Sequence, residues 1–265
     1  MRMRVRRLVC LLLMLMVFLS SGFSASALES LPELYCQAAF VIHPDTGLIL
    51  YAKNPDLQLP CSSLVKIMTA ILALEHFPDL SQTLEVSAAA LENLSGVATA
   101  GLKEGEVLTV EQLLYCLLLP SAADAANTLA EGVSGDIASF VELMNQKAES
   151  LSLKNTHFVN TYGRDDDMQY TTASDMAKLV QYAMKNQIFC DIVSTQYKRI
   201  SETNLSGVRY YFSNNALVIS SVDRREVEDY YYRYADGVMT GTSTEAGYNR
   251  QGRHAAHHRD FGLHA

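Results

Sequence analysis

The chain has 265 residues, 49% of them hydrophobic and 19% charged, and a formal net charge of −8. This is enough length and apolar content for one large domain or two modest ones, and it excludes a disordered chain. The acidic balance excludes nucleic acid as a natural partner, because a polyanion needs a basic face.

Met1 to Ala27 reads as a secretory signal peptide. Arg2, Arg4, Arg6 and Arg7 precede an apolar run from Leu8 to Leu19, and Ala25-Ser26-Ala27 forms a small-residue cleavage site. An N-terminal membrane anchor is the competing reading, but the run is short for a span. The expected product is exported, and loss of those arginines takes its formal charge from −8 to −12. Cys36, Cys61, Cys116 and Cys190 remain, widely spaced. They read as buried free thiols rather than a disulfide framework, which belongs to much smaller secreted domains. Their spacing fits no metal site, and no cofactor motif is present.

Ala38–Ile42 and Leu48–Ala52 are strand-like runs joined by His43-Pro44-Asp45-Thr46-Gly47, which predicts a hairpin. Next comes Cys61-Ser62-Ser63-Leu64-Val65-Lys66-Ile67-Met68-Thr69, opening a helix expected to end near His76 and Pro78. Leu64, Val65, Ile67, Met68, Ala70, Ile71, Leu72 and Leu74 leave it no polar face, so it belongs inside a domain. Ser63 and Lys66 share one turn, about 5–6 Å apart at Cβ. A serine needs an adjacent base to act as a nucleophile, and a lysine whose pKa is lowered by burial can be that base. The helix N-terminus adds N–H groups where an oxyanion would develop. The same spacing also fits a capping serine and a solvated lysine. The apolar surroundings favour chemistry, since an isolated buried ammonium is costly unless paired or used.

Leu84 to Leu108 predicts loops and short strands. Thr109-Val110-Glu111-Gln112 is a capping box opening a helix that Pro120 stops. Ser121-Ala122-Ala123-Asp124 follows, with Asp124 read as the cap of the next helix, which Gly132 and Gly135 are expected to break. Ile137 to Leu151 predicts another helix, and Thr172-Ala173-Ser174-Asp175 caps one running to about Lys185. Beyond Tyr197 strand-like pieces lead to Asp236-Gly237-Val238-Met239-Thr240-Gly241-Thr242. Residues 249–265 carry a cluster of histidines and arginines and almost no β-branched residue. They read as a processed, disordered or out-of-frame tail.

Three stretches, taken in order, resemble the serine D-alanyl-D-alanine carboxypeptidases among the low-molecular-mass penicillin-binding proteins. Ser63 to Lys66 matches the nucleophile motif, Ser121 to Ala123 the second, and Met239 to Gly241 the third. The hairpin and the segment Asn155 to Met176 are also similar, so the resemblance runs from about residue 36 to 248. It implies an α/β (α+β) fold of the β-lactamase/transpeptidase-like class, with an antiparallel sheet drawn from both chain ends and a central helical subdomain. Residues 28–248 would form the catalytic domain, without the last strands of the sheet, so that Thr240's strand would lack a neighbour. It further implies that Ser63 is acylated by the penultimate D-alanine of a peptidoglycan stem peptide, Lys66 takes the serine proton and Ser121 relays a proton to the leaving amine. Met239, Thr240, Gly241 and Thr242 would line the substrate. β-Lactams would act as inhibitors, and the site would face the extracellular or periplasmic side of a bacterial envelope. A membrane-associating C-terminal helix is not expected here.

Two positions depart from the family pattern. Ala123 stands where the family has asparagine and Met239 where it has lysine. A charged hydrogen bond is worth roughly 1.5–3 kcal/mol, and losing one transition-state donor costs about 10²–10³ in rate. A carboxypeptidase of reduced activity is therefore one expectation. A non-catalytic envelope protein or decayed gene product that at most binds stem peptide is the alternative. A β-lactamase fits less well, because the matching loop offers no glutamate to activate the deacylating water.

Overall fold

A computed structural model describes residues 34–218, 231–243, 245 and 247–254; the expected signal peptide and the tail beyond residue 254 lie outside them. The core is organised on helix α1, Val65–His76, which carries no exposed side chain before its last turn. A helix that is apolar all round must be enclosed, and among the described residues five others pack against it: α2 (Val110–Leu118), α3 (Ala123–Ser134), α4 (Ile137–Ser150), α5 (Ala173–Ala183) and α6 (Gln187–Val193). All belong to one unit, Cys36–Arg259.

Local sequence explains most helix starts. Thr109 Oγ1 accepts from Gln112 N while Gln112 Oε1 accepts from Thr109 N, the reciprocal box expected for α2. Asp136, Thr172 and Asn186 each accept a first-turn N–H in the same way. The last of these opens α6, a helix for which the sequence reading had no counterpart. Gly132 does not break α3. The helix runs on to Ser134, and a Cβ at 132 would lie 2.5 Å from Leu84 Cδ1, so the glycine is there for close packing. Gly135, at φ +85°, ends it.

Among the described residues four antiparallel ladders complete the mixed α/β architecture. Strands β1 (Ala39–Ile42) and β2 (Ile49–Lys53) form the expected hairpin. Strand β3 (Thr83–Glu85) pairs with β4 (Val107–Thr109), and β5 (Tyr197–Ile200) with β6 (Arg209–Phe212). Strand β7 (Ala235–Ser243) pairs with β8 (Gly247–His254), with Thr240 opposite Arg250. The strand carrying Thr240 therefore does have a neighbour, built from what had been read as the start of an aberrant tail. Ladder formation uses backbone groups, so a segment poor in β-branched residues can still pair when a tight connection places it alongside. Among the described residues the strands of the two chain ends form separate ladders: β1 packs on α5, while β7 lies against α6 and the turn that holds Ser63.

Hairpin β5–β6 is anchored through a buried carboxylate. Glu106, fully buried, accepts from Arg209 Nη2, from Thr203 Oγ1 at 2.7 Å and from Lys103 N at 3.1 Å. Removing one partner of such a pair costs about 3–5 kcal/mol. Tyr211 on β6 donates to Ala100 O at 2.5 Å, fastening the loop ahead of β4.

Candidate active site

Ser63 lies in a single 3-10 turn, Ser62–Leu64, placed directly before α1 rather than in the α-helix itself. Lys66 stands in the first turn of α1, three residues on, which sets both side chains on one face. Lys66 Nζ accordingly reaches Ser63 Oγ at 3.3 Å and donates to Tyr162 O at 2.5 Å. Lys66 is only 3% exposed. Burial pulls its pKa from 10.5 down to about 7, with the Asp124 carboxylate acting in the opposite direction. A large share of the side chain is then neutral at physiological pH, with a lone pair beside a hydroxyl.

Tyr162 O is held in place from both sides. Thr69 Oγ1 donates to Thr161 O at 2.6 Å, Thr161 Oγ1 to Asn127 Oδ1 at 2.6 Å, and Asn127 Nδ2 to Ala90 O at 3.0 Å, which ties α1, the 161–163 segment and α3 together. On the other side Gly163, at φ +90°, presses against the nucleophile's turn: a Cβ there would sit 1.8 Å from Ser62 O. Gly241 of β7 does the same more gently, its virtual Cβ 3.0 Å from Ser63 N. Two glycines thus let two segments of backbone close on the Ser62–Ser63 peptide.

Ser121 is strained and unpartnered. Its φ is +63°, a region that costs an L-residue roughly 1–2 kcal/mol. Its hydroxyl is buried without a hydrogen-bond partner, so it bonds neither Ser63 nor Lys66. The residues that follow, Ala122 and Ala123, are fully buried and bring no polar side chain, while Ala122 N donates to Cys116 O and Ala123 N to Ala98 O. Asp124 is not the cap of α3. Ala122 occupies the cap position, and the Asp124 carboxylate instead accepts from Ala100 N and Leu102 N at 2.9–3.0 Å besides its neighbour Ala125 N. The helix was correctly placed, but tertiary contact set the carboxylate's partners.

On β7, Met239 is fully buried, Thr240 is half-buried and Thr242 is exposed. Thr240 Oγ1 donates to Asn214 Oδ1 at 3.4 Å, and Ser243 Oγ to Asp165 Oδ1 at 2.7 Å. Asn214, Asp165, Tyr162 and Gly163 were not singled out by sequence. Gly163, a glycine closing the run Asn160-Thr161-Tyr162, carried the one local signal, while Asn214 and Asp165 reach the site through long-range contact. Burial pushes the Cys61 and Cys116 thiols up to about 12, which leaves both inert. Cys36 is exposed and Cys190 half-buried, so the reading of buried thiols holds for only part of the set. Among the described residues no group of three or more His, Cys, Asp or Glu is placed to hold a metal ion, and no helix is long and apolar enough to cross a membrane.

This geometry meets its counterpart in known proteins. Residues 25–260 match the peptidase S11 family, D-alanyl-D-alanine carboxypeptidase. The chain belongs to that family. Within it, the D-alanyl-D-alanine carboxypeptidase DacF of Bacillus subtilis is 32% identical over 89% of this chain, which spans 59% of that relative's length. A D-alanyl-D-alanine carboxypeptidase of Streptomyces sp. K15 is 30% identical over 86% of this chain and 79% of its own. The crystal structure of the Streptomyces K15 DD-transpeptidase superposes with a TM-score of 0.76 at 30% identity, covering 85% of this chain and 87% of that one. The α/β fold of this peptidase S11 chain is therefore that of a DD-peptidase, as the resemblance implied.

Proposed function

We propose that this chain is a serine-type D-Ala-D-Ala carboxypeptidase, working through an acyl-enzyme on Ser63. The observation that carries the reading is the buried Lys66 ammonium group, titrating near 7 with its nitrogen 3.3 Å from Ser63 Oγ. Lys66 takes the hydroxyl proton as Ser63 Oγ bonds to the carbonyl carbon of the penultimate D-alanine. The C–N bond to the terminal D-alanine then breaks, and the leaving amine receives a proton through Lys66 or Ser121. Water, deprotonated by the same lysine, cleaves the ester and restores Ser63. A positioned base of suitable pKa contributes about 10²–10⁴ to such a step. The backbone at Ser63 N, beside Gly241, is suited to the developing oxyanion, and Met239 to Thr242 line one wall of the site. The substrate is the peptidoglycan stem peptide, and β-lactams would acylate the same serine.

The family's place at the cell envelope supports an exported enzyme, with residues 1–27 as its leader and residues 28–248 holding the catalytic domain. The unpartnered Ser121 hydroxyl, with Ala123 and Met239 standing where the family has asparagine and lysine, favours reduced turnover and supports a second reading: a protein that binds stem peptide without hydrolysing it. Incubation with a fluorescent penicillin separates these. Covalent label on Ser63, absent in Ser63→Ala, together with D-alanine release from a D-Ala-D-Ala peptide, is the expected result. Label without release supports the acylating but non-turning-over protein, and no label on the wild type refutes the nucleophile.

A further inference from the structure

Resting on the proposed carboxypeptidase reading, the two ends of the site meet different parts of the substrate. Ser121, which would pass a proton to the leaving amine, stands two residues after Leu119. The Leu119 carbonyl accepts from Asn214 N, and Asn214 Oδ1 accepts from Thr240 Oγ1 at 3.4 Å, so Asn214 bridges the Ser121 wall and β7. The departing D-alanine therefore belongs to the Thr240 end of the strand. Gly241 lies against Ser63 N, and the rest of the stem peptide leaves the nucleophile in the other direction, towards Ser243. Two strand residues, from Gly241 to Ser243, cover about 7 Å.

A carboxylate stands at that end. Asp165 is half-buried, and its Oδ1 accepts from Ser243 Oγ at 2.7 Å, while Oδ2 has no hydrogen-bond or ion-pair partner among the described residues. Its loop is tied to the nucleophile's own turn, because Gly163, two residues earlier, presses on Ser62 O. Burial first, and the Asp165 charge after it, push the thiol of Cys61 at the head of that turn up to about 12. The negative charge is thus felt beside Ser63 itself. Arg164, the adjoining cation, is turned away, its Nη2 donating to Ser95 O at 2.8 Å. Across the ladder from Ser243 stands Gly247, which has no side chain to cover the carboxylate. Asp166 is engaged within the loop, accepting from Met168 N at 2.8 Å, and Asp167 is exposed. A held carboxylate with one oxygen committed and the other open suits a cationic donor, whose hydrogen bond is stronger than a neutral one.

We propose that Asp165 receives the side-chain ammonium of the residue preceding the D-Ala-D-Ala pair, and so makes the protein select stem peptides in which that amine is free. That residue lies one strand step beyond the acyl carbonyl, and the flexible stem of a lysine-like side chain spans the rest of the way to Asp165. Acylating the amine, as happens when one stem peptide is joined to another, removes its charge and with it the attraction. The site is thereby directed to stems not yet joined through that residue.

The test measures competition against fluorescent-penicillin labelling of Ser63 by two peptides: Nα-acetyl-Lys-D-Ala-D-Ala with its ε-amine free, and the same peptide with that amine acetylated. The wild type should bind the free amine about tenfold more tightly. Asp165→Asn keeps the shape and an acceptor for Ser243 but loses the charge, and should bring the two peptides within about twofold of each other. Asp167→Asn removes one charge from the same loop and should hold the wild-type preference to within about twofold. Melting temperature checks that both variants fold. The assignment is overturned by a labelled wild type that neither peptide competes with, or that prefers the free amine by less than about twofold. It is overturned equally by a preference that survives Asp165→Asn, or that Asp167→Asn reduces as much, which would assign it to the loop's summed charge. A wild type that takes no label removes the serine mechanism, and this inference with it, so the two failures are distinguishable.

Discussion

Replacing Gly163 with alanine tests how the nucleophile is held. The added methyl would begin 1.8 Å from Ser62 O, 2.3 Å from Ser62 C and 2.9 Å from Ser63 N, all backbone atoms with no rotamer to escape into. Ordinary contact starts at 3.4 Å, so the 162–164 segment and the Ser62–Ser63 peptide must separate by about 1.6 Å, the difference between 3.4 and 1.8 Å. The same segment supplies Tyr162 O to Lys66, and a shift of that size breaks a 2.5 Å hydrogen bond. Overpacking costs about 1–3 kcal/mol, an L-residue at φ +90° about 1–2, and a lost buried hydrogen bond about 1–3. The total, about 3–8 kcal/mol, compares with a typical stability of about 5–15 kcal/mol. Gly163→Ala should therefore melt at least ~6 °C lower and lose Ser63 labelling by about a hundredfold or more, measured by thermal unfolding and by the rate of fluorescent-penicillin attachment. A variant that melts within ~2 °C of the wild type and labels within about threefold would show that the loop yields freely, and the account of a backbone clamp would be wrong.

The lysine makes two pH predictions. Acylation needs its neutral form, so the labelling rate should rise with pH through about 7 and then level off. Between about 7 and the ordinary value of 10.5 the unfolded chain binds a proton that the folded chain does not, so this group's penalty is full below 7 and is relieved as pH rises towards 10.5. Urea titrations across that window should show wild-type stability gaining on Lys66→Met, which lacks the titration; equal slopes would place the ammonium in water. Ser121→Ala removes a buried hydroxyl that has no partner, relieving a desolvation cost of about 1–3 kcal/mol, so melting should hold or rise while labelling falls by about tenfold or more. Loss of stability alongside unchanged labelling would make Ser121 a packing residue.

Much of this molecule is local and could be read directly. The turn at His43–Gly47, the reciprocal cap at Thr109 and Gln112, and the Thr172 cap depend on neighbours within a few positions, and each forms where its residues stand. The pairing of Ser63 with Lys66 is local too, because one turn of chain fixes it, and the apolar run around it required burial. The second strand of the β7 ladder was misread because composition was asked to predict a pairing that belongs to the backbone. Asp124 was misread for a related reason: besides the N–H of Ala125 in its own helix, its side chain takes backbone N–H groups at Ala100 and Leu102, which only the tertiary fold brings to it.

What the sequence alone determined is the reacting pair and the apolar helix that buries it, since hydroxyl, amine and hydrophobic faces are set by residues a turn apart. What only the tertiary structure decided is whether that pair has a site around it. The lowered lysine pKa, the Tyr162 carbonyl, the Gly163 and Gly241 contacts and the Asn214 bridge all arise between segments far apart in the chain, where burial and close approach exist only after packing is complete.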